Sequence, residues 1–286
     1  FGIRDYRLFN VFMTIVCEIR AYVKLYYEKE DDGLSKINKI NSLIGVKESY
    51  QAPDALLELI YDKERREALF RDMLPLFNYD VSIDWFHEYF QDEHADRRNK
   101  KQDFTPNSLA ELITALAGGG DDTNTLDIAA GTGGLTIKAW HRDRLKHPPF
   151  DYRPSMHLYH CEELSDRALP FLLFNLAIRG MNASVMHGDV LSRRKVKGVF
   201  FVQNDYDDHL RFSSINLMPY TEGVRKMFGI TSWADEEDRY APIKETEGFP
   251  DYLSRDLSRQ ADEGDNVSKA LFNIIRAEIK ERQATT

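Results

Sequence analysis

The stretch Leu126-Asp-Ile-Ala-Ala-Gly-Thr-Gly-Gly-Leu135 restricts the possible folds more than any other part of the chain. Thr125–Ala129 is a short apolar run of strand character. Gly131, Gly133 and Gly134 follow it at once, and a helical run from Leu135 to Trp140 comes next. Glycines at the carboxyl end of a strand let the backbone turn sharply and let a ligand approach the main chain. The first amides of the helix beyond such a turn lack intrahelical partners and face that ligand. Two common nucleotide motifs are excluded. The third glycine position of a dinucleotide fingerprint is Thr136, and the Gly-Lys-Ser/Thr of a P-loop is absent.

Around this turn, strand and helix patterns alternate from residue 121 onward, which predicts an α/β domain with a mostly parallel sheet. Met156–Cys161 forms a second strand and leads into Glu162-Glu163. Asp166–Arg179 is a helix carrying Leu169, Leu172, Leu173 and Leu176. Ala183–His187 is a third strand, closed by Gly188-Asp189-Val190, and Gly198–Gln203 is a fourth. Ligands bind at the carboxyl ends of such strands, and a polar group stands at each end here. Beyond Gln203, Ser214–Met218 is the one clear strand candidate. Residues 235–265 are acidic and turn-rich, and residues 267–282 form an amphipathic helix.

The first hundred residues follow helical periodicity instead. Leu8, Phe12, Ile15, Ile19, Tyr22, Val23 and Tyr26 make one apolar stripe, and residues 54–73 make a second helix with Leu56, Leu59, Ile60 and Leu69 inward. Residues 31–53 have the composition of a polar connector. Val81–Phe90 is a third helix that packs through Trp85, Phe86, Tyr89 and Phe90, and the charged run 92–101 marks a boundary. The organisation predicted is a helical N-terminal domain over 1–100 and an α/β domain over 101–286. After the boundary, Thr105 is a suitable N-cap and Pro106 a suitable first helical residue, with Leu109, Leu112, Ile113 and Leu116 on one face.

Charge limits the range of partners. The formal net charge is −9, whereas nucleic-acid affinity rests largely on cations against phosphate. Any DNA role therefore calls for a partner. Cys17 and Cys161 offer no disulfide framework, which fits a reducing cytoplasm. The apolar run 8–27 is broken by Glu18, Arg20 and Lys24, so it is expected to pack within protein and not to cross a membrane. In His157-Leu-Tyr-His-Cys161, strand alternation puts His157 and Cys161 on one face and His160 on the other. No second ligand pair follows at zinc spacing, so no metal site is predicted.

Taken together, Phe104-Thr105-Pro106 at a helix start and Asp127-Ile-Ala-Ala-Gly-Thr-Gly-Gly134 resemble the adenine-N6 DNA methyltransferases. Within that family they resemble the modification subunits of type I restriction-modification systems. The resemblance is good over about residues 80–205 and poor elsewhere. It implies a Rossmann-like class I methyltransferase domain after the helical segment, with S-adenosyl-L-methionine as cofactor. It also implies DNA as substrate through a separate specificity subunit, in a homo- or hetero-oligomer.

By resemblance, Phe104, Thr105 and Pro106 flank the methionine portion of the cofactor. Asp127 helps hold its ammonium, and Ala129, Gly131, Thr132, Gly133 and Gly134 supply the turn. Glu163 accepts from the ribose hydroxyls, with Glu162 as the alternative if the strand register shifts by one. Asp189, beside Val190, accepts from the adenine amino group. The catalytic Asn-Pro-Pro-aromatic of the family corresponds to Asn204-Asp-Tyr-Asp207, which makes Asn204 and Tyr206 the candidate catalytic residues. Both prolines are missing, and the C-terminal part of the domain is abbreviated or rearranged. Three functions follow: an adenine-N6 DNA methyltransferase, a methyltransferase-fold binding or assembly module without catalysis of its own, or methylation of a non-DNA substrate, which is compatible with the acidic charge.

Overall fold

The computed structural model describes residues 36–87, 89–90 and 124–249. The expected first helix, the charged boundary, the Phe104-Thr105-Pro106 helix and the terminal amphipathic helix lie outside these residues.

Among the described residues, five strands form one sheet in the order β1-β2-β3-β4-β5: Asn124–Asp127, Leu158–Glu163, Ala183–His187, Gly198–Gln203 and Ser214–Leu217. The first three are mutually parallel, with Asp127 opposite Cys161 and Glu163 opposite His187. Two crossover helices join them, α4 (Gly134–Leu145) and α5 (Leu169–Ile178). The expectation of a mostly parallel sheet fails at β4, which runs antiparallel to both β3 and β5. Chain length is the reason. A parallel return needs a crossover of about a dozen residues or more, usually helical, and residues 188–197 and 204–213 are shorter and contain no helix. They close antiparallel hairpins instead.

All ten residues of α5, Leu169 to Ile178, are buried. A helix that is apolar all round has to be covered on every side. Here the sheet lies under it through β3, β4 and β5, and an N-terminal helix lies beside it. Among the described residues that layer includes α1 over 36–44, α2 (Ala52–Ile60) and α3 (Lys63–Leu76). The single helix expected over 54–73 is two, because Asp62 breaks it and caps α3 by accepting from the Arg65 amide at 3.0 Å. The expected connector 31–53 contains α1, which buries Ile40, Asn41 and Ile44. Residues 81–86 are turns and bends, with helix only from 87. Even so, Trp85, Phe86, Tyr89 and Phe90 are all buried as predicted.

One apolar cluster runs from Ile40 through α2, α3, Phe86, α5 and the inner face of the sheet to Ile243, so helical layer and sheet share a core. Strand alternation sends Met186, Val199 and Met218 to the other face. There they pack with Val224 of α6 (Glu222–Met227), Phe228, Ile230 and Phe249.

Candidate functional site

The carboxyl ends of β1, β2 and β3 meet at a cavity of about 470 Å³. Its walls come from four segments: residues 128–132, Gly134 and Leu135 of the glycine turn, Glu163 at the end of β2 with Leu164 and Ala168 beyond it, residues 188–191 after β3, and Asp84 with His87 from the N-terminal layer. Among these lining residues are three carboxylates and no lysine or arginine.

The turn depends on its glycines. Gly131 has φ +56° and Gly133 has φ +99°; a Cβ added at Gly133 would lie 3.0 Å from Leu172 Cδ1. Both positions therefore favour glycine through positive φ, and at Gly133 a side chain would also push Leu172 aside by a few tenths of an ångström. Gly134 and Leu135 bring the first turn of α4, whose leading amides have no intrahelical partner, to the cavity wall.

Glu163, only 8% exposed, faces the cavity. Its Oε2 accepts from the Gly131 amide at 2.6 Å and its Oε1 from the Ser165 amide at 2.7 Å. The carboxylate thus ties β2 to the glycine turn and keeps further lone pairs for a ligand. Glu162 is on the opposite face of β2, where it accepts from Arg193 at 2.7 Å and sits 3.2 Å from His160 Nε2. Asp189 lines the cavity and accepts from the Leu191 amide at 3.0 Å and the Ser192 hydroxyl at 2.7 Å. Those bonds, the hydroxyl's first, hold its pKa below the usual carboxylate value. Val190, Ala129, Thr132 and Gly134 also line the wall. Ile128, Leu164 and Leu191 add exposed apolar side chains around it.

Asp127 is not among the lining residues. Its carboxylate accepts from Thr136 Oγ1 at 2.8 Å, with the Ala129 amide at 3.5 Å, so it braces the turn against α4 from beneath. Burial raises its pKa despite these bonds. Gly133 shapes the turn from behind the wall, while Phe104, Thr105 and Pro106 lie outside the described residues.

The expected catalytic pair is not brought to the cavity. Because β4 is reversed, Val202 pairs with Ala183 at the start of β3 and Gly198 with His187 at its end. Asn204 therefore sits at the opposite end of the sheet, roughly 15 Å away at ~3.3 Å per residue. Its amide donates to Asn182 Oδ1 at 2.7 Å. Its side-chain Nδ2 donates to the carbonyls of Gly180, Asp208 and Arg211, and its Oδ1 accepts from the Asp208 amide. Tyr206 is 70% exposed, with the Arg211 guanidinium 5.2 Å from its ring centre.

Asp84 was missed in the sequence and is central here. Its Oδ1 accepts from the Phe86 amide at 2.9 Å and Asn175 Nδ2 at 2.7 Å, and its Oδ2 accepts from the Thr132 hydroxyl. Asn175 also donates to the Thr132 carbonyl at 2.7 Å, and Arg179 donates to Asn175 Oδ1 at 2.8 Å and to the Val81 carbonyl at 2.8 Å. Burial lowers the Arg179 pKa to about 10. The network joins the N-terminal layer, the glycine turn and α5. One signal was available: Asn175 is the lone polar residue of an apolar helix, and a buried amide needs partners.

Among the described residues, no group of three or more His, Cys, Asp or Glu side chains gathers at a metal-sized site, and no helix is long and apolar enough to cross a membrane. His157 and Cys161 share one face of β2, with His160 on the other against Phe228.

Residues 80–210 match the family model described as N-6 DNA Methylase. The match supports an adenine-N6 methyltransferase family and a DNA N6-methyltransferase-like function for this region. No curated protein and no solved structure matches the chain.

Proposed function

We propose that the protein is an S-adenosylmethionine-binding, adenine-N6 DNA methyltransferase-like protein resembling the modification subunit of a type I restriction-modification system. The observation that carries this reading is the convergence of the Gly131–Gly134 turn, Glu163 and Asp189 on one cavity. Its volume falls within the ~300–1,000 Å³ typical of small-molecule sites. The donor set also fits: among the described lining residues, three carboxylates without a lysine or arginine disfavour a phosphate-bearing ligand and suit one that carries a sulfonium and an ammonium. The Rossmann-like class I assignment rests on the parallel half of the sheet, from β1 through α4, β2 and α5 to β3.

Each wall takes one part of the cofactor. Glu163 accepts from the ribose hydroxyls with the lone pairs that Gly131 and Ser165 leave. Asp189 accepts from the adenine amino group beside Val190, and Ile128, Leu164 and Leu191 exclude water around the ring. The amides that open α4 receive the carboxylate, and the family resemblance gives Phe104, Thr105 and Pro106 the methionine chain. Bound there, the cofactor supplies an electrophilic methyl group. An adenine amino group reaches such a site only when the base leaves the duplex, and with a net charge of −9 the chain depends on a specificity subunit for its DNA contacts.

A second reading, a cofactor-binding or assembly module without methyl transfer of its own, is favoured by Asn204. Both of its side-chain atoms are already hydrogen-bonded within a loop at the far end of the sheet. Calorimetry and a tritium-transfer assay on duplex DNA test both readings. The wild type is expected to bind S-adenosylmethionine, and Glu163→Ala to weaken binding by about 1.5–3 kcal/mol, the range for bonds to a charged group. A wild type that does not bind removes the proposal. Binding without transfer to DNA, with and without a specificity subunit, selects the module.

A further inference from the structure

Within the cavity the acidic groups are separated by strand order. Glu163 ends β2, Asp189 follows β3, and Asp84 lies beyond the β1 turn, where a Cβ added at Gly134 would come 3.8 Å from its Oδ2. A ligand with its nucleoside over β2 and β3 therefore brings its amino-acid end over the β1 turn and the start of α4. An amino acid presents a carboxylate and an ammonium a few ångströms apart. The opening amides of α4 suit the carboxylate, and the ammonium needs an anionic acceptor beside them.

Asp127 was the sequence candidate for that acceptor, but its carboxylate is engaged by the Thr136 hydroxyl and the Ala129 amide and does not line the cavity. Asp84 lines the wall, is 8% exposed, and is held by Phe86, Asn175 and Thr132. Its Oδ2 takes one described donor, the Thr132 hydroxyl, so a second lone pair is open to a ligand. We propose that Asp84 receives the α-ammonium of the bound cofactor, so that the N-terminal helical layer contributes a binding residue to the site. The inference rests on the reading of the cavity as an S-adenosylmethionine site. It also gives the layer a role beyond packing, because the loop that carries Asp84 is pinned to α5 through Asn175 and Arg179.

The test is calorimetry on the full chain with three ligands: S-adenosylhomocysteine, its desamino analogue, and 5′-methylthioadenosine, which lacks the amino acid. The wild type is expected to bind the desamino analogue at least about tenfold more weakly than S-adenosylhomocysteine. That gap should collapse in Asp84→Asn and persist in Asp127→Asn, with 5′-methylthioadenosine affinity unchanged in Asp84→Asn. No gap in the wild type overturns the proposal, as does a gap that survives in Asp84→Asn or collapses in Asp127→Asn. Equal loss of all three ligands in Asp84→Asn also overturns it. If Asp84→Asn does not fold, Thr132→Val decides: freeing Oδ2 from the hydroxyl should widen the gap, and an unchanged gap overturns the assignment. A wild type that binds none of the three ligands refutes the reading of the cavity itself, a result distinct from all of these.

Discussion

At Gly180 the backbone runs at φ +64°, and a Cβ added there would lie 2.5 Å from the Arg211 carbonyl oxygen and 3.0 Å from Asn204 Nδ2. These residues form one structural knot beyond α5. Asn204 satisfies three carbonyls and one amide of that knot, so its removal leaves buried polar groups unpaired. Asn204→Ala is therefore expected to lower stability by about 1–3 kcal/mol, measured by urea denaturation, without weakening S-adenosylmethionine binding at the opposite end of the sheet. Gly180→Ala should cost at least as much, because strain at positive φ adds to a backbone clash. An Asn204→Ala protein of unchanged stability and reduced methyl transfer would instead return the residue to catalysis.

Among the elements, α3 is fixed by a charge. The Arg66 side chain is 0% exposed and meets a Glu245 carboxylate that is 10% exposed, at 2.6 Å. The same guanidinium donates to the Ile60 carbonyl at 2.7 Å, and Glu245 accepts from the Ile215 amide of β5 at 2.9 Å. The pair therefore ties α2 and α3 to β5 and the segment that crosses it. Removing one partner leaves the other buried and uncompensated. Glu245→Ala should destabilise by about 3–5 kcal/mol, and Arg66→Met with Glu245→Leu by much less, since a buried pair roughly balances its own desolvation. Chemical denaturation of the two variants distinguishes these outcomes. Equal losses would mean that the pair itself supplies the stability.

For the whole molecule, buried histidines set the response to pH. His187, fully buried, holds its Nδ1 2.7 Å from the Tyr240 hydroxyl and its Nε2 3.3 Å from the Leu164 carbonyl, which fits a neutral ring with the proton on Nε2. Burial lowers its pKa to about 4, against the opposing pull of Asp166. The unfolded chain binds this proton near pH 6.5, so stability present above that pH is lost as the pH falls from about 6.5 to about 4, by up to ~3 kcal/mol. Burial lowers His157 and His160 in the same direction. Asp127, raised by burial, opposes the slope just above pH 3.8. Unfolding free energy should therefore fall between pH 7 and pH 5, less steeply in His187→Gln; an equal slope in both would locate the titration elsewhere. At the same scale, a net charge of −9 predicts weak duplex binding by the isolated chain, with affinity falling steeply as salt rises. Tight binding at physiological salt in a filter or anisotropy assay would contradict this.

The sequence by itself determined what local chemistry determines. Ala183–His187 and Gly198–Gln203 are strands at the predicted bounds, because short apolar runs end there in turn residues. Positive φ at Gly131 and Gly133 follows from residue type, and alternation alone placed Cys161 and His160 on opposite faces of β2. It put Glu163 and Asp189 at strand ends, where the structure finds both on the cavity wall. Only the tertiary structure decided the direction of β4, and with it the position of Asn204. A run such as Gly-Val-Phe-Phe-Val-Gln has the same periodicity whichever way it pairs. The connection over 188–197 is too short for a helical crossover, but that β4 lies beside β3 is decided by the tertiary packing. Likewise, nothing local to Asp84 or Asn175 shows that residues 91 positions apart will share a hydrogen bond. That partnership exists because α5, apolar except for Asn175, has to be covered, and the segment that covers it carries a carboxylate to the glycine turn.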